Sequence, residues 1–159
     1  MAKKPELITW SNTISCGIQL IDEQHKTLVD LVNDMFNHIS GNEEEEQEYL
    51  KKVLKTAVKY VKLHFATEER IFLATKFYGY AEHKKAHDLF ILTVTDKIRD
   101  FQTGKRVTLS SISNFLKDWI LSHIAVMDKQ YFVFFRQIAT RKANGRLSID
   151  MSDVNRGFM

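Results

Sequence analysis

Two histidines stand four residues apart in "HKKAH", His83 to His87, and "HFATE" sets a carboxylate at the same distance from another, His64 to Glu68. On a helix four residues is about one turn, so both members of each pair project from one stripe and can close on one ion. "HIAVMD" adds His123 and Asp128, and "LIDEQH" ends on His25. Imidazole nitrogens mixed with carboxylate oxygens suit iron better than calcium or magnesium, with zinc or manganese as other occupants. Five nitrogens and two carboxylates are too many for one ion. If Glu68 and Asp128 bridge two ions, one takes three histidines and the other two. A bridging oxygen from water then makes them six- and five-coordinate. The uneven split leaves one open position for a small exogenous ligand, with the second metal as electron partner.

Surface histidines one turn apart are commonplace, so the elements that carry them decide. Breaks at "SGN" (Ser40 to Asn42), "FYGY" around Gly79 and "TGKR" (Thr103 to Arg106) separate four long periodic segments. The first, about Ile18 to Ile39, aligns Ile18, Ile21, Leu28, Val29, Val32, Phe36 and Ile39 with His25. In the second, about Glu43 to Lys76, His64 and Glu68 share the stripe of Val53, Ala57, Tyr60, Ile71 and Thr75. The third, about Tyr80 to Gln102, aligns His83 and His87 with Phe90, Val94, Ile98 and Phe101. His123 falls in the fourth, about Val107 to Thr140, with Ile112, Leu116, Trp119, Met127, Phe134 and Ile138. Short connections make successive helices antiparallel, which predicts an all-α, up-down-up-down four-helix bundle.

Five of the six histidines therefore lie on inward stripes of all four helices, with only His38 off-stripe. One such histidine is usually a satisfied core residue; five together with Glu68 leave buried polar atoms unpaired unless something binds them. Asp128 poses a spacing problem. In a regular helix it turns about 140° from His123, and Met127 takes the inward place instead. For Asp128 to reach a metal held by His123, the helix needs about one extra residue in that turn, as a π-type bulge supplies.

Composition bounds the remaining possibilities. The chain has 159 residues, 44% hydrophobic, with one proline and six glycines, which fits one helical domain large enough to bury a core. A net charge of +3 with basic and acidic residues interspersed argues against nucleic acid as a partner. No apolar run approaches the roughly 18 residues of a membrane span, and "MAKKPELITW" lacks a secretory core, so the expectation is a cytoplasmic protein. The single cysteine, Cys16, fits a reducing compartment and argues against a thiolate metal site.

The motifs "GIQLIDEQH" ending at His25, "HFATEE" from His64, "HKKAH" from His83 and "WILSHIAVMD" from Trp119 closely resemble the hemerythrin-like family, specifically single-domain bacteriohemerythrins, from about Trp10 to Ile138. The resemblance implies that His83, His87 and His123 hold one iron, and His25 and His64 the other. Glu68, Asp128 and an oxo or hydroxo group would bridge the pair. It implies reversible O2 binding at the two-histidine iron, for storage, delivery or scavenging rather than catalysis. Leu28, Trp119, Ile120 and Ile124 match the family positions that keep that pocket dry. The alternatives are an O2, redox or iron sensor acting through a partner, and a di-iron enzyme handling peroxide or nitric oxide.

The division expected is a domain over 1–140, with its bundle over about 18–140, and a tail over 141–159 without helical period. Trp10 and Ile14, on the N-terminal arm, are expected to pack across the bundle. Asp22 reads as a surface charge turned partly away from His25 rather than as its outer partner. "EEEE" at Glu43 to Glu46 follows the good cap Asn42 and reads as negative charge at a helix N-terminus. "YFVFF" at Tyr131 to Phe135 reads as core and bundle-end packing, and His38 as solvated.

Overall fold

The structure, a computed structural model, describes residues 5–143. Its elements are α1 (Gln19–Asn37), α2 (Glu43–Ala74), α3 (Tyr80–Gln102) and α4 (Leu109–Ser122), then a π-helical turn (His123–Asp128) leading directly into α5 (Lys129–Ala143). With α4, the π turn and α5 as one irregular rod, these are the four helices of the bundle, and no strand occurs among the described residues. Helix α1 packs on α2 and on α4, and α2 packs on α3.

Local chemistry sets the helix ends. Asn42 accepts from the Glu45 N–H at 3.4 Å and caps α2, and the Glu46 carboxylate accepts from the Ser40 and Gly41 N–H groups at 2.9 and 2.8 Å, tying the preceding turn to the helix start. Helix α2 stops two residues before the expected Lys76. Lys76 takes φ +54°, and the Phe77 N–H closes back on the Phe72 carbonyl at 2.9 Å. Thr108 accepts from the Ser111 N–H and starts α4 two residues later than periodicity alone suggests. The tail expected from Arg141 begins inside α5, whose last turn includes 141–143; 144–159 lie outside the described residues. No described helix is long and apolar enough to cross a membrane.

The arm reaches the bundle as expected: Ile14 is buried, and Trp10 is half-buried with its ring centroid 6.4 Å from that of His25. Asp22 departs from the surface reading. Its carboxylate accepts from the Ser15 hydroxyl at 2.6 Å and from the Cys16 and Gly17 N–H groups at 2.8 and 3.1 Å, tying the arm to the start of α1. Helix phase turns Asp22 away from His25 as foreseen, but toward a folded-back arm rather than water. At the junction Gly17 has φ +74° with the Phe132 ring pressed against it, so both backbone and space call for glycine.

The buried apolar residues fall into two groups. The larger includes Leu28, Val32, Val61, Phe65, Phe90 and Ile120. A smaller one, Cys16, Ile18, Ile21, Ile71, Phe72, Phe77 and Tyr131, has Phe132, Phe134 and Phe135 packed against it. "YFVFF" thus faces the core except for Val133, which is exposed. His25 falls between Ile21 and Leu28 on α1, and His64 and Glu68 between Val61 and Ile71 on α2, so the polar residues form a layer between the two groups.

Candidate metal centre

All seven polar residues singled out by sequence meet in that layer, each no more than 2% exposed. His25 comes from the inward stripe of α1, His64 and Glu68 from successive turns of α2, and His83 and His87 from the first turns of α3. His123 and Asp128 open and close the π turn. That turn is the irregularity the five-residue spacing requires. Met127 is displaced to a half-buried position and Asp128 faces the interior.

The imidazoles sort into a trio and a pair. His83, His87 and His123 have ring centroids 4.6–4.9 Å apart, and His25 and His64 lie edge-to-face at 4.7 Å. Both carboxylates touch both sets. Glu68 Oε2 lies 3.5 Å from His64 Nε2, 3.6 Å from His83 Nε2 and 3.1 Å from His87 Nε2, while Oε1 lies 3.6 Å from His25 Nε2. Asp128 Oδ2 lies 3.0 Å from His25 Nε2, and Oδ1 lies 3.1 and 3.4 Å from the Nε2 atoms of His83 and His123. Donors each about 2.1 Å from one ion and at right angles about it stand about 3 Å apart, so these spacings suit coordination.

Hydrogen bonding does not account for the cluster. Both oxygens of Glu68 and of Asp128, and Nε2 of His25, His64 and His83, are buried without a hydrogen-bond partner. The remaining two Nε2 atoms, of His87 and His123, face each other at 3.1 Å. Buried polar groups are normally satisfied, so the donor set fits a cation at its centre. Two groups of donors are each close enough to hold one: Glu68, His83, His87 and His123; and His25, His64, Glu68 and Asp128.

The electrostatics follow from burial and the two carboxylates. Burial pulls His25 and His83 down, but Asp128 and Glu68 overcome it and raise both to about 9. His64 and His123 fall to about 4 because burial outweighs their carboxylate neighbours. Burial and the Glu68 charge push Asp128 up, yet His123, His25 and His83 bring it to about 2. Glu68 is likewise held well below the usual range by His64, His25, His83 and His87 against the effect of burial.

Leu28, Ile120 and Ile124 are buried beside the layer, and Trp119 stacks on His123 with centroids 4.4 Å apart and planes 14° from parallel. Leu28, Trp119 and Ile120 help enclose an apolar cavity of about 10 Å³ with Val61, Phe90 and Leu116; Ile124 is not on its wall. Two contacts were missed by sequence reasoning. Gln24 Oε1 lies 3.1 Å from His64 Nδ1, and Glu69 Oε1 lies 3.2 Å from His87 Nδ1. Each sits beside a candidate ligand in its own motif, "DEQH" and "HFATEE", which is the only signal the sequence carries for it. His38 is off the site as expected, exposed with its ring stacked on Tyr49.

A four-helix bundle with a buried layer of five imidazoles and two carboxylates that could hold a metal defines an all-α protein with a candidate metal-binding core. Residues 16–135 match the profile of the hemerythrin HHE cation binding domain, and the chain belongs to the hemerythrin family. It is 32% identical over 124 residues to the bacteriohemerythrin of Pseudomonas aeruginosa (strain LESB58), covering 78% of each chain. It is 30% identical to the bacteriohemerythrin of Methylococcus capsulatus (strain ATCC 33009 / NCIMB 11132 / Bath), over 79% of this chain and 94% of the relative. A crystal structure of wild-type hemerythrin superposes with a TM-score of 0.70 at 30% identity, over 79% of this chain and 95% of that one.

Proposed function

We propose that this chain is a non-haem di-iron protein that binds O2 reversibly, for storage, delivery or scavenging in the cytoplasm, and is not an enzyme. One observation carries the reading: five buried imidazoles and two buried carboxylates converge, and both carboxylates and the Nε2 atoms of His25, His64 and His83 lack a hydrogen-bond partner. In this proposal His83, His87 and His123 hold one iron, His25 and His64 the other, and Glu68, Asp128 and an oxo or hydroxo group bridge them. When bound as a ferrous pair, the irons supply two electrons and one open position for O2. The names of the relatives, bacteriohemerythrins among them, support that ligand.

The chain itself orients and shields. Glu68 and Asp128 balance the charge of the site and reach both halves, fixing the separation between them. Leu28, Trp119 and Ile120 line the apolar cavity, and with Ile124 buried next to His123 they exclude water and protons, which favours release of an intact ligand over turnover. We assign these roles to 1–140 as one domain and give 141–159 no part in them.

The test is anaerobic iron reconstitution followed by metal analysis and an oxygen titration with optical spectra. The expected result is about two irons per chain, with a spectral change that reverses on deoxygenation. A ratio near one that does not rise with added iron overturns the dinuclear reading. Sustained consumption of O2 over many turnovers overturns the carrier reading.

A further inference from the structure

Gln24 and Glu69 each neighbour a proposed ligand on their own helix and reach across to a histidine on another. The Gln24 amide is buried and oriented. Its Nε2 donates to Thr67 Oγ1 at 3.1 Å, and the Thr67 hydroxyl donates to the Leu63 carbonyl at 2.9 Å. That leaves Oε1 to accept from His64 Nδ1, so the Nε2 lone pair of His64 points into the site. Glu69 does the same for His87 with a charge. Its Oε1 accepts from Nδ1, and its Oε2 lies 3.7 Å from Lys84 Nζ, which also donates to Asp88 at 2.9 Å. Lys84, the first lysine of "HKKAH", thus anchors the carboxylate that backs the second histidine of that motif.

Both contacts select the same tautomer, but they differ in strength. A carboxylate accepting from an imidazole N–H makes a charge-assisted bond and raises the basicity of the ring more than a neutral amide does. We propose that Gln24 and Glu69 are positioning residues that make the two halves of the centre unequal, so that a divalent cation fills the His83, His87 and His123 half before the His25 and His64 half. This rests on the two-metal reading above.

The test is zinc(II) titration of the metal-free protein against a competing chelator, with ring 15N shifts read by NMR in the zinc-loaded form. Two binding steps are expected. Glu69→Gln should weaken the tighter step by about 10–100-fold, the range for lost outer partners of metal-bound histidines, and leave the weaker step within about threefold. Gln24→Glu should tighten the weaker step. Thr67→Val, which frees the amide without touching a histidine, should weaken it. The 15N shift of His87 Nδ1 should move in Glu69→Gln while that of His64 does not. Two zinc ions per chain with affinities and shifts unmoved by Glu69→Gln and Gln24→Glu overturn this proposal alone. One zinc per chain in the unaltered protein overturns it together with the two-metal reading.

Discussion

Deleting Val126 should spare the proposed metal centre, although it removes a residue from the middle of the turn that carries His123 and Asp128. Val126 is 58% exposed and lies within the π turn between His123 and Asp128. In that turn the i→i+5 pattern lets a residue five along take the place that a residue four along takes in an α-helix. With Val126 gone, the aspartate follows His123 by four positions, about 40° around a regular helix instead of about 140°. That is the spacing by which His64 and Glu68 already share a face on α2. Tyr131 keeps its inward direction for the same reason. Deleting the exposed Ser122, one residue before the π turn, is the contrasting perturbation. It turns His123, Asp128 and Tyr131 together by about 100° relative to α4. Misdirecting the buried Tyr131 and Ile124 alone costs about 3–6 kcal/mol at about 1.5–3 kcal/mol per large buried side chain. The assay is iron per chain after reconstitution together with the thermal midpoint. The Val126 deletion should hold about two irons, and the Ser122 deletion should lose both iron and stability. Equal loss of iron in the two would refute the view that the extra residue serves only helix phase.

Glu68→Ala should abolish loading of the metal pair, whereas His38→Ala should leave metal content unchanged, since His38 is exposed against Tyr49 away from the layer; metal analysis decides both. Without metal, stability should peak near the ordinary histidine range and fall on either side, as read by chemical denaturation across pH. His25 and His83, raised to about 9, contribute stability that is present below about 6.5 and lost as pH climbs through about 9. His64 and His123, lowered to about 4, bind protons more readily when unfolded, so their contribution is lost as pH falls from about 6.5 toward 4. A metal-free protein whose stability rises steadily to pH 10 would contradict this. Gly17→Ala should lower stability by about 1–2 kcal/mol through its positive φ alone, and by more if Phe132 cannot move aside, measured by thermal melting.

The bundle was legible because histidines and apolar residues share one helical period, and the breaks at Gly41, Gly79 and Gly104 are short. The π turn was legible for a stricter reason: no regular helix lets His123 and Asp128 face the same point. What escaped was contact made outside the helical period. Asp22 looks like a surface charge until the arm folds back and offers it Ser15, Cys16 and Gly17. Gln24 and Glu69 lie one position off the inward stripe, where periodicity assigns them no task, and only the closeness of neighbouring helices gives them a histidine each. The division of the core into two groups depends in the same way on which side of the polar layer each apolar residue falls.

That layer also constrains how the helices can slide. Apolar bundles tolerate shifts of one helix past another by a turn, about 5.4 Å, because one leucine replaces another at little cost. Here such a shift would carry imidazoles or carboxylates from every helix of the bundle into the apolar core on one side, away from one another, at several kcal/mol. The seven polar residues therefore act as a detent, holding four rods in one axial alignment. Substituting them all with leucine would remove this indexing, and the resulting bundle should gain stability while losing its single register.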